Sequence, residues 1–125
     1  MKASELNKLL VENFPDLQEK YIEESKWKEG DDTGSHIIYE RVFTPYVLEC
    51  IEKNRNRELA RCFDFLETLL ELEDGYVNKV IPFSVFKSMK YLFTKNDSFR
   101  DLLHKKSKKL LTELEAGGGV YSQTN

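Results

Sequence analysis

"LETLLELEDGYVNKVIPFSVFKSMKYLF", residues 66–93, contains the helical pattern from which the fold class is predicted. Apolar residues recur at three- and four-residue steps on both sides of the short acidic turn EDG, a spacing typical of amphipathic helices. A connection this short predicts an antiparallel αα-hairpin. Asp74 is the predicted N-cap of the second helix, and Pro82 should bend that helix by removing one backbone donor. We therefore interpret the stretch as scaffold.

The same periodicity predicts two helices at the start of the chain. The first should cover about three turns after Ser4, its predicted cap, and Pro15 should end it. The second can start at that proline, because a residue in the first turn loses no helical hydrogen bond there. It should bury Leu17 and Tyr21, and Ile22 is a further candidate for burial.

Two more helices are predicted in the middle of the chain. One starts at Ser35, after a loop rich in Gly, Asp, Ser and Thr, and Pro45 should kink it or make it restart at Thr44. The other carries the cleanest apolar stripe of the chain, whose members are Leu59, Cys62, Phe63, Leu66, Leu69 and Leu70.

A last helix should open near Asn96 or Asp97 and end at the glycines of "AGGG". We therefore predict an all-α fold of five or six helices. These form either stacked antiparallel hairpins of the HEAT-like kind or an irregular helical bundle. Residues 1–116 should form a single helical domain and residues 117–125 a flexible tail, and a length of 125 residues fits one domain.

The charge of the chain is unevenly distributed. The net charge is −3, but residues 1–75 hold 10 Lys and Arg against 18 Asp and Glu, whereas residues 76–125 hold 9 against 4. An acidic half repels nucleic-acid phosphates and attracts cationic surfaces, so this pattern favours a basic protein as partner. The alternative is that these charges only keep the helix faces soluble.

Several classes of protein are not favoured. No apolar run approaches the ~20 residues that cross a bilayer, and charges interrupt the leucines at the start of the chain, so we predict a cytoplasmic protein without a membrane partner. Cys50 and Cys62 lie on apolar stripes without C-x-x-C spacing, which indicates buried, reduced thiols.

The sequence shows no pattern typical of catalysis or of cofactor binding. His36 and His104 lie far apart, and no metal-binding motif contains either of them. Carboxylate pairs such as Asp64 with Glu67 could transfer protons only in a cleft that raises one pKa, and a solvated helix face explains them better. We predict no enzyme, no metal and no cofactor.

One basic run, "HKKSKKL" at residues 104–110, could contact nucleic acid or an anionic membrane. It has neither arginine nor interleaved aromatic residues, and lysines near a helix C-terminus are favoured by the helix dipole. We therefore do not predict nucleic acid as a partner. The role of Lys105, Lys106, Lys108 and Lys109 stays open.

Four short segments carry a family resemblance: "NFPDLQEKY", Trp27 followed by "GSHIIYE", "RCFDFLE" and "DGYVNKV". Together they resemble a family of small bacterial all-helical proteins, often found near polymorphic or contact-dependent toxin genes and presumed to include immunity proteins. The resemblance covers roughly residues 10–85. The C-terminal third departs from the pattern, because "LLHKKSKKLL" lacks the expected Gly-Pro turn.

The resemblance implies a non-enzymatic protein that binds a cognate toxin, expected to be basic, and blocks it. Loops displayed on rigid helices commonly carry binding, so we predict a partner-binding surface made of Trp27, Glu29, Asp31, Asp32, His36 and Glu40. Trp27 could equally be a core residue. The alternative function is that of a helical-repeat adaptor within a regulatory assembly.

Overall fold

The computed structural model describes residues 1–90 and 97–124, and within these ranges it contains helices and turns but no strand. The all-α prediction is confirmed. The α-helices are α1 (Ala3–Asn13), α2 (Gln18–Ser25), α3 (Ser35–Ile38), α4 (Thr44–Glu52), α5 (Asn56–Glu71), α6 (Gly75–Ile81) and α7 (Lys105–Thr124). Short 3-10 turns cover Pro15–Leu17, Gly30–Asp32 and Asp97–Leu102, and π-helical turns cover Tyr39–Phe43 and Pro82–Phe86.

Both π-helical turns are next to a proline. The turn Tyr39–Phe43 joins α3 to α4, which restarts at Thr44 as predicted, one residue before Pro45. The turn Pro82–Phe86 follows α6, and residues 87–90 are again helical. A proline has no N–H, so the helix must change its hydrogen bonding there, and a wider π turn is one way to do so. With each such run counted as one helix, the described residues form six helices, within the predicted range.

The predicted hairpin is formed by α5 and α6, which pack against each other across a connection of residues 72–74. Asp74 is the N-cap of α6, as predicted. Its Oδ2 accepts hydrogen bonds from the N–H of Tyr76 at 3.0 Å and from the N–H of Val77 at 3.1 Å. These bonds satisfy two of the backbone donors that a helix start leaves unpaired.

Replacing Asp74 with alanine should therefore lower the free energy of unfolding by about 1 kcal/mol. Asp74→Asn is the matched control, because asparagine caps helices about as well as aspartate and should lose much less. Urea unfolding followed by circular dichroism measures both variants. Equal losses in the two variants would show that the cap is not what Asp74 contributes.

The core is centred on an aromatic cluster that joins three parts of the chain. The ring of Phe65 on α5 lies 5.3 Å from that of Phe14, 5.7 Å from that of Phe43 and 6.5 Å from that of Tyr39, between ring centroids. The predicted stripe on α5 faces this core. Its buried members are Leu59, Cys62, Phe63, Leu66 and Leu69.

The helices share one core. In the described residues α1 contacts α3, α3 contacts α6, and α7 lies against α5. One continuous cluster of buried apolar residues includes members of all these helices. Stacked hairpins would contact mainly their neighbours along the chain. Of the two predicted arrangements, the irregular bundle is therefore the one observed, and the contacts give no support to a HEAT-like array.

Three local predictions about the first helices and the last one differ from the structure. The N-cap of α1 is Lys2, and Ser4 lies inside the helix. Ile22, a candidate for burial, is 51% exposed. The last helix does not open near Asp97, where a 3-10 turn lies, but at Lys105; Asn96 is outside the described residues. These are errors of helix register and boundary, which local periodicity determines poorly.

The end of α7 also differs from the prediction. The helix continues to Thr124, through the glycines at 117–119 that should have ended it. A glycine weakens a helix by about 1 kcal/mol relative to alanine, but it keeps its backbone N–H and therefore does not break the hydrogen-bond ladder. The single domain over residues 1–116 and the flexible tail stay predictions.

None of the helices within the described ranges combines the length and the apolar character needed to cross a bilayer.

Candidate functional site

The predicted binding residues centre on the connection between α2 and α3, residues 26–34, which we call the Trp27 loop. Gly30 adopts a φ of +59°, a left-handed conformation that favours glycine, and it opens the 3-10 turn of the loop. The hydroxyl of the buried Thr33 donates to the Gly30 carbonyl at 2.7 Å and accepts from the Glu29 N–H at 3.2 Å. The loop is thereby closed by its own hydrogen bonds.

A buried asparagine on α1 fixes this loop to the bundle. Asn7 is 0% exposed, and its Nδ2 donates to the Thr33 carbonyl at 2.7 Å and to the Asp31 carbonyl at 3.2 Å. Its Oδ1 accepts from the Ser35 hydroxyl at 2.8 Å. Since buried polar groups are costly unless they are paired, this arrangement couples the loop conformation to the folding of α1.

Tyr21 on α2 holds the loop from the other side. Its hydroxyl donates to Asp31 Oδ1 at 2.7 Å. Burial raises the pKa of Tyr21, and the hydrogen bond to Asp31 and the negative charges of Asp31 and Asp32 raise it further. Tyr21 therefore stays protonated at neutral pH and remains a donor, which keeps the Asp31 carboxylate in one position.

Trp27 projects from this fixed loop into solvent. Its side chain is 84% exposed, which excludes the alternative that it belongs to the core of the chain. Lys26 Nζ lies 5.6 Å from the centroid of the indole, within the range of a weak cation–π contact. A large apolar side chain exposed to this degree is the kind of feature that marks an interaction site.

The carboxylates beside Trp27 are not neutralised within the described residues. Glu29, Asp31 and Asp32 are exposed and lie in one short turn, and no ion pair involves any of them. Glu24, just before the loop, differs because it is surrounded by cations. Its partners, at 3.5–3.8 Å, are Lys20, Lys28 and Arg41. The loop carboxylates thus differ from Glu24 in forming no ion pair within the described residues.

The other two predicted residues lie on the following helical run. His36 is exposed, and its ring lies against Gly34, where a β-carbon would be 2.7 Å from His36 Cε1. Glu40 is exposed on the π-helical turn Tyr39–Phe43, and the described residues show no hydrogen bond or ion pair between it and the loop. His36 therefore contacts the end of the loop at Gly34.

The residues that support the loop were not predicted as site residues. Asn7 could have been found, because it lies three residues before Leu10 and seven before Phe14, on the apolar stripe of α1. A polar residue on such a stripe indicates a buried hydrogen-bond network. Thr33 and Tyr21 give no comparable signal, since each fits a loop or an amphipathic helix without further explanation.

A second polar cluster joins α5 to the start of α7. Glu67 Oε1 accepts hydrogen bonds from the N–H and from the hydroxyl of Ser107, both at 2.9 Å, and Glu67 Oε2 accepts from the Lys106 N–H at 3.0 Å. A carboxylate of one helix thus caps another helix. The contact spans about 40 residues of sequence, so local patterns do not reveal it.

This cluster corrects the interpretation of the basic run. Lys105, Lys106, Lys108 and Lys109 lie in the first two turns of α7, not near a helix C-terminus. Positive charge is unfavourable at a helix N-terminus. Carboxylates of α5 and of the turn after it offset this, because Glu67 caps the helix, Glu73 pairs with Lys106 at 3.4 Å, and Asp64 contacts His104.

The same region was the candidate for acid–base chemistry. A depression of about 240 Å³ is lined by Asp64, Glu67, Glu71 and His104, among others. Burial acts to raise the pKa of Glu67, but the hydrogen bonds from Ser107 and Lys106 outweigh it and lower the pKa below its ordinary value. A general acid needs a raised pKa. Within the described residues, no cluster of His, Cys, Asp and Glu could hold a metal ion.

A lowered pKa at Glu67 predicts acid sensitivity of this contact. The pKa of a glutamate carboxyl in the unfolded chain is about 4.3, and the pKa of Glu67 in the folded protein is lower. The stabilisation is therefore complete above the unfolded pKa and is lost as the pH falls through the folded pKa. Glu67→Gln should therefore make the free energy of unfolding less pH-dependent below about pH 5. Glu71→Gln, an exposed neighbour on α5, is the control. Parallel pH profiles for the wild type and Glu67→Gln would contradict the assignment.

A family model matches most of the chain. The sequence model of a family described as a domain of unknown function, DUF7674, matches residues 7–116. The chain belongs to the DUF7674 family. The matched DUF7674 region includes the Trp27 loop, Asn7, which holds that loop by hydrogen bonds, and the contact between Glu67 and the start of α7. No curated protein and no solved structure matches the chain.

Proposed function

We propose that this protein binds a basic toxin domain through the Trp27 loop and neutralises it by direct contact. The observation that carries the proposal is the exposure of Trp27 on a loop that buried side chains hold in one conformation. The toxin as partner comes from the resemblance of residues 10–85 to a family associated with toxin systems. The bacterial cytoplasm is the proposed site of action.

The fixed loop supports tight binding. Ordering a flexible loop at an interface costs free energy that must be subtracted from the affinity, and a loop already held by Asn7, Thr33 and Tyr21 avoids most of that cost. Tryptophan is enriched among the few residues that dominate binding energy, particularly where surrounding groups exclude water from it. Trp27 fits that role as the anchor of the interface.

The charge around Trp27 supports the choice of a basic partner. Glu29, Asp31 and Asp32 follow the anchor along the loop, and none of them forms an ion pair within the described residues. Of the lysines on either side of the anchor, Lys28 is paired with Glu24. The excess of acidic residues in residues 1–75 extends this field. Such a field accelerates association with a cationic surface and disfavours acidic competitors. Toxins that act on nucleic acids are basic for the same electrostatic reason.

The direct test is co-expression with a candidate toxin encoded beside this gene, followed by size-exclusion chromatography. We expect one complex that persists at about 0.15 M salt, where charge on exposed surfaces is already well screened. We also expect the protein to restore growth of cells that express the toxin. Two independent peaks together with no rescue of growth would contradict the proposal.

A further inference from the structure

A groove lies between α7 and the α5–α6 hairpin, on other elements than those that form the Trp27 loop. It has a volume of about 670 Å³. Its apolar lining residues are Leu70, Pro82 and Leu110, and its cationic ones are Lys105, Lys106 and Lys109. We call it the lysine groove.

The lysines of this groove are only partly neutralised. Lys106 pairs with Glu73 at 3.4 Å, whereas no ion pair involves Lys105 or Lys109 in the part of the chain that the structure describes. Both side chains are exposed. The groove therefore combines apolar lining residues with two lysines that form no ion pair within the described residues.

This chemistry favours an acidic peptide segment over nucleic acid. Among the described residues the apolar lining is aliphatic, so these residues offer no aromatic ring on which a base could stack. Glu73 and Glu113 also line the groove, but Glu73 is paired with Lys106, so Lys105 and Lys109 leave the groove with net positive charge. A peptide segment with one large apolar side chain and flanking carboxylates matches both the apolar lining and the two unpaired lysines.

The chain itself carries such a segment. The Trp27 loop exposes an indole and carries Glu29, Asp31 and Asp32, and none of these carboxylates forms an ion pair within the described residues. Of the two lysines next to the indole, Lys28 pairs with Glu24 and Lys26 lies over the ring. We propose that the lysine groove of one copy binds the Trp27 loop of a second copy. This contact does not depend on the identity of any toxin. A loop bound in the groove of another copy cannot bind other partners, so self-association would regulate the availability of the loop.

The contact joins two unlike surfaces of the same chain. Such heterologous contacts close into a dimer or a ring where the rotation between copies allows it, and otherwise they extend into open assemblies. Because the groove and the loop have opposite charge, self-association should strengthen at low ionic strength and weaken as salt is added.

Trp27 is the only tryptophan of the chain and reports this contact directly. We expect its fluorescence maximum to lie at long wavelength in dilute solution. It should shift to shorter wavelength as protein concentration rises at about 0.01 M salt, together with an increase in mass by analytical ultracentrifugation. Both changes should reverse at about 0.5 M salt. A monomeric mass and a constant emission maximum throughout would overturn the proposal.

Complementary variants test which surfaces meet. The groove variant, Lys105→Glu with Lys109→Glu, reverses the charge of the two unpaired lysines of the groove. The loop variant, Glu29→Lys with Asp32→Lys, reverses the charge of two loop carboxylates. All four side chains are exposed. Each double variant alone should be monomeric, because neither can pair with itself. An equimolar mixture should form a 1:1 dimer, since the first variant keeps the native loop and the second keeps the native groove.

Lys87→Glu with Lys108→Glu is the matched control, because it makes the same change in net charge at exposed lysines outside the groove. It should self-associate nearly as well as the wild type. Equal loss in the control and the groove variant, or a mixture that stays monomeric, would overturn the proposal. None of these measurements contains a toxin, so their failure leaves the proposed function standing and tests only the groove.

Discussion

Trp27→Ala should weaken binding to the basic partner by about 2–4 kcal/mol, or roughly 30- to 1,000-fold in Kd. The exposed indole is the largest apolar group on the proposed surface, and truncation would remove the contact that is buried only in the complex. Because the loop is held by Asn7, Thr33 and Tyr21 rather than by Trp27, the variant should fold normally. Titration calorimetry against a catalytically inactive toxin measures the change.

Ile22→Ala provides the matched control for that variant. Ile22 is another large apolar residue of this region with substantial exposure, but it lies on α2 and outside the Trp27 loop. We expect its truncation to change Kd by no more than a few-fold. Wild-type affinity in Trp27→Ala, or an equal loss in both variants, would show that the interface lies elsewhere.

Phe65→Ala should lower the free energy of unfolding by about 3–5 kcal/mol, a large fraction of the stability of a domain of this size. Its ring touches Phe14, Tyr39 and Phe43, so truncation would leave a cavity at the point where α1, α5 and the run after α3 meet. Urea unfolding monitored by far-ultraviolet circular dichroism gives the midpoint and the slope.

Phe83→Ala is the corresponding control for the core. The residue is the same, but the side chain is 64% exposed on the π-helical turn Pro82–Phe86. Its loss should change the free energy of unfolding by no more than about 0.5 kcal/mol. Similar effects of the two substitutions would contradict the placement of the core.

The helical fold could be predicted because its signals are local. The stripe on α5 repeats at three- and four-residue steps, and Asp74 stands at the one position where a carboxylate can cap α6. Both features depend on residues within two turns of each other. The restart at Thr44 follows in the same way from the missing N–H of Pro45.

The packing between distant segments could not be predicted in this way. The cap that Glu67 provides for α7 depends on two helices meeting, and the lysines after His104 look alike whether they open or close a helix. The choice between a bundle and stacked hairpins could not be predicted for the same reason. It depends on which helices share a core, and apolar periodicity shows only that each helix has a buried face.

The candidate site was predictable in position but not in its supports. Gly, Asp and Thr between two periodic segments indicate a loop, and the loop lies where they predict it. Whether Trp27 faces inward or outward depends on how that loop is held. The residues that hold it, Asn7 and Tyr21, lie on α1 and α2 and contact it only after the helices have packed.

Hydrogen–deuterium exchange on the complex with the basic partner shows whether the Trp27 loop is the docking surface. We expect the amides of residues 26–34 to gain protection on binding, with little change at the start of α7 and along α5. Protection confined to α5 and α7, with the Trp27 loop exchanging as in the free protein, would contradict the claim that this loop is the docking surface.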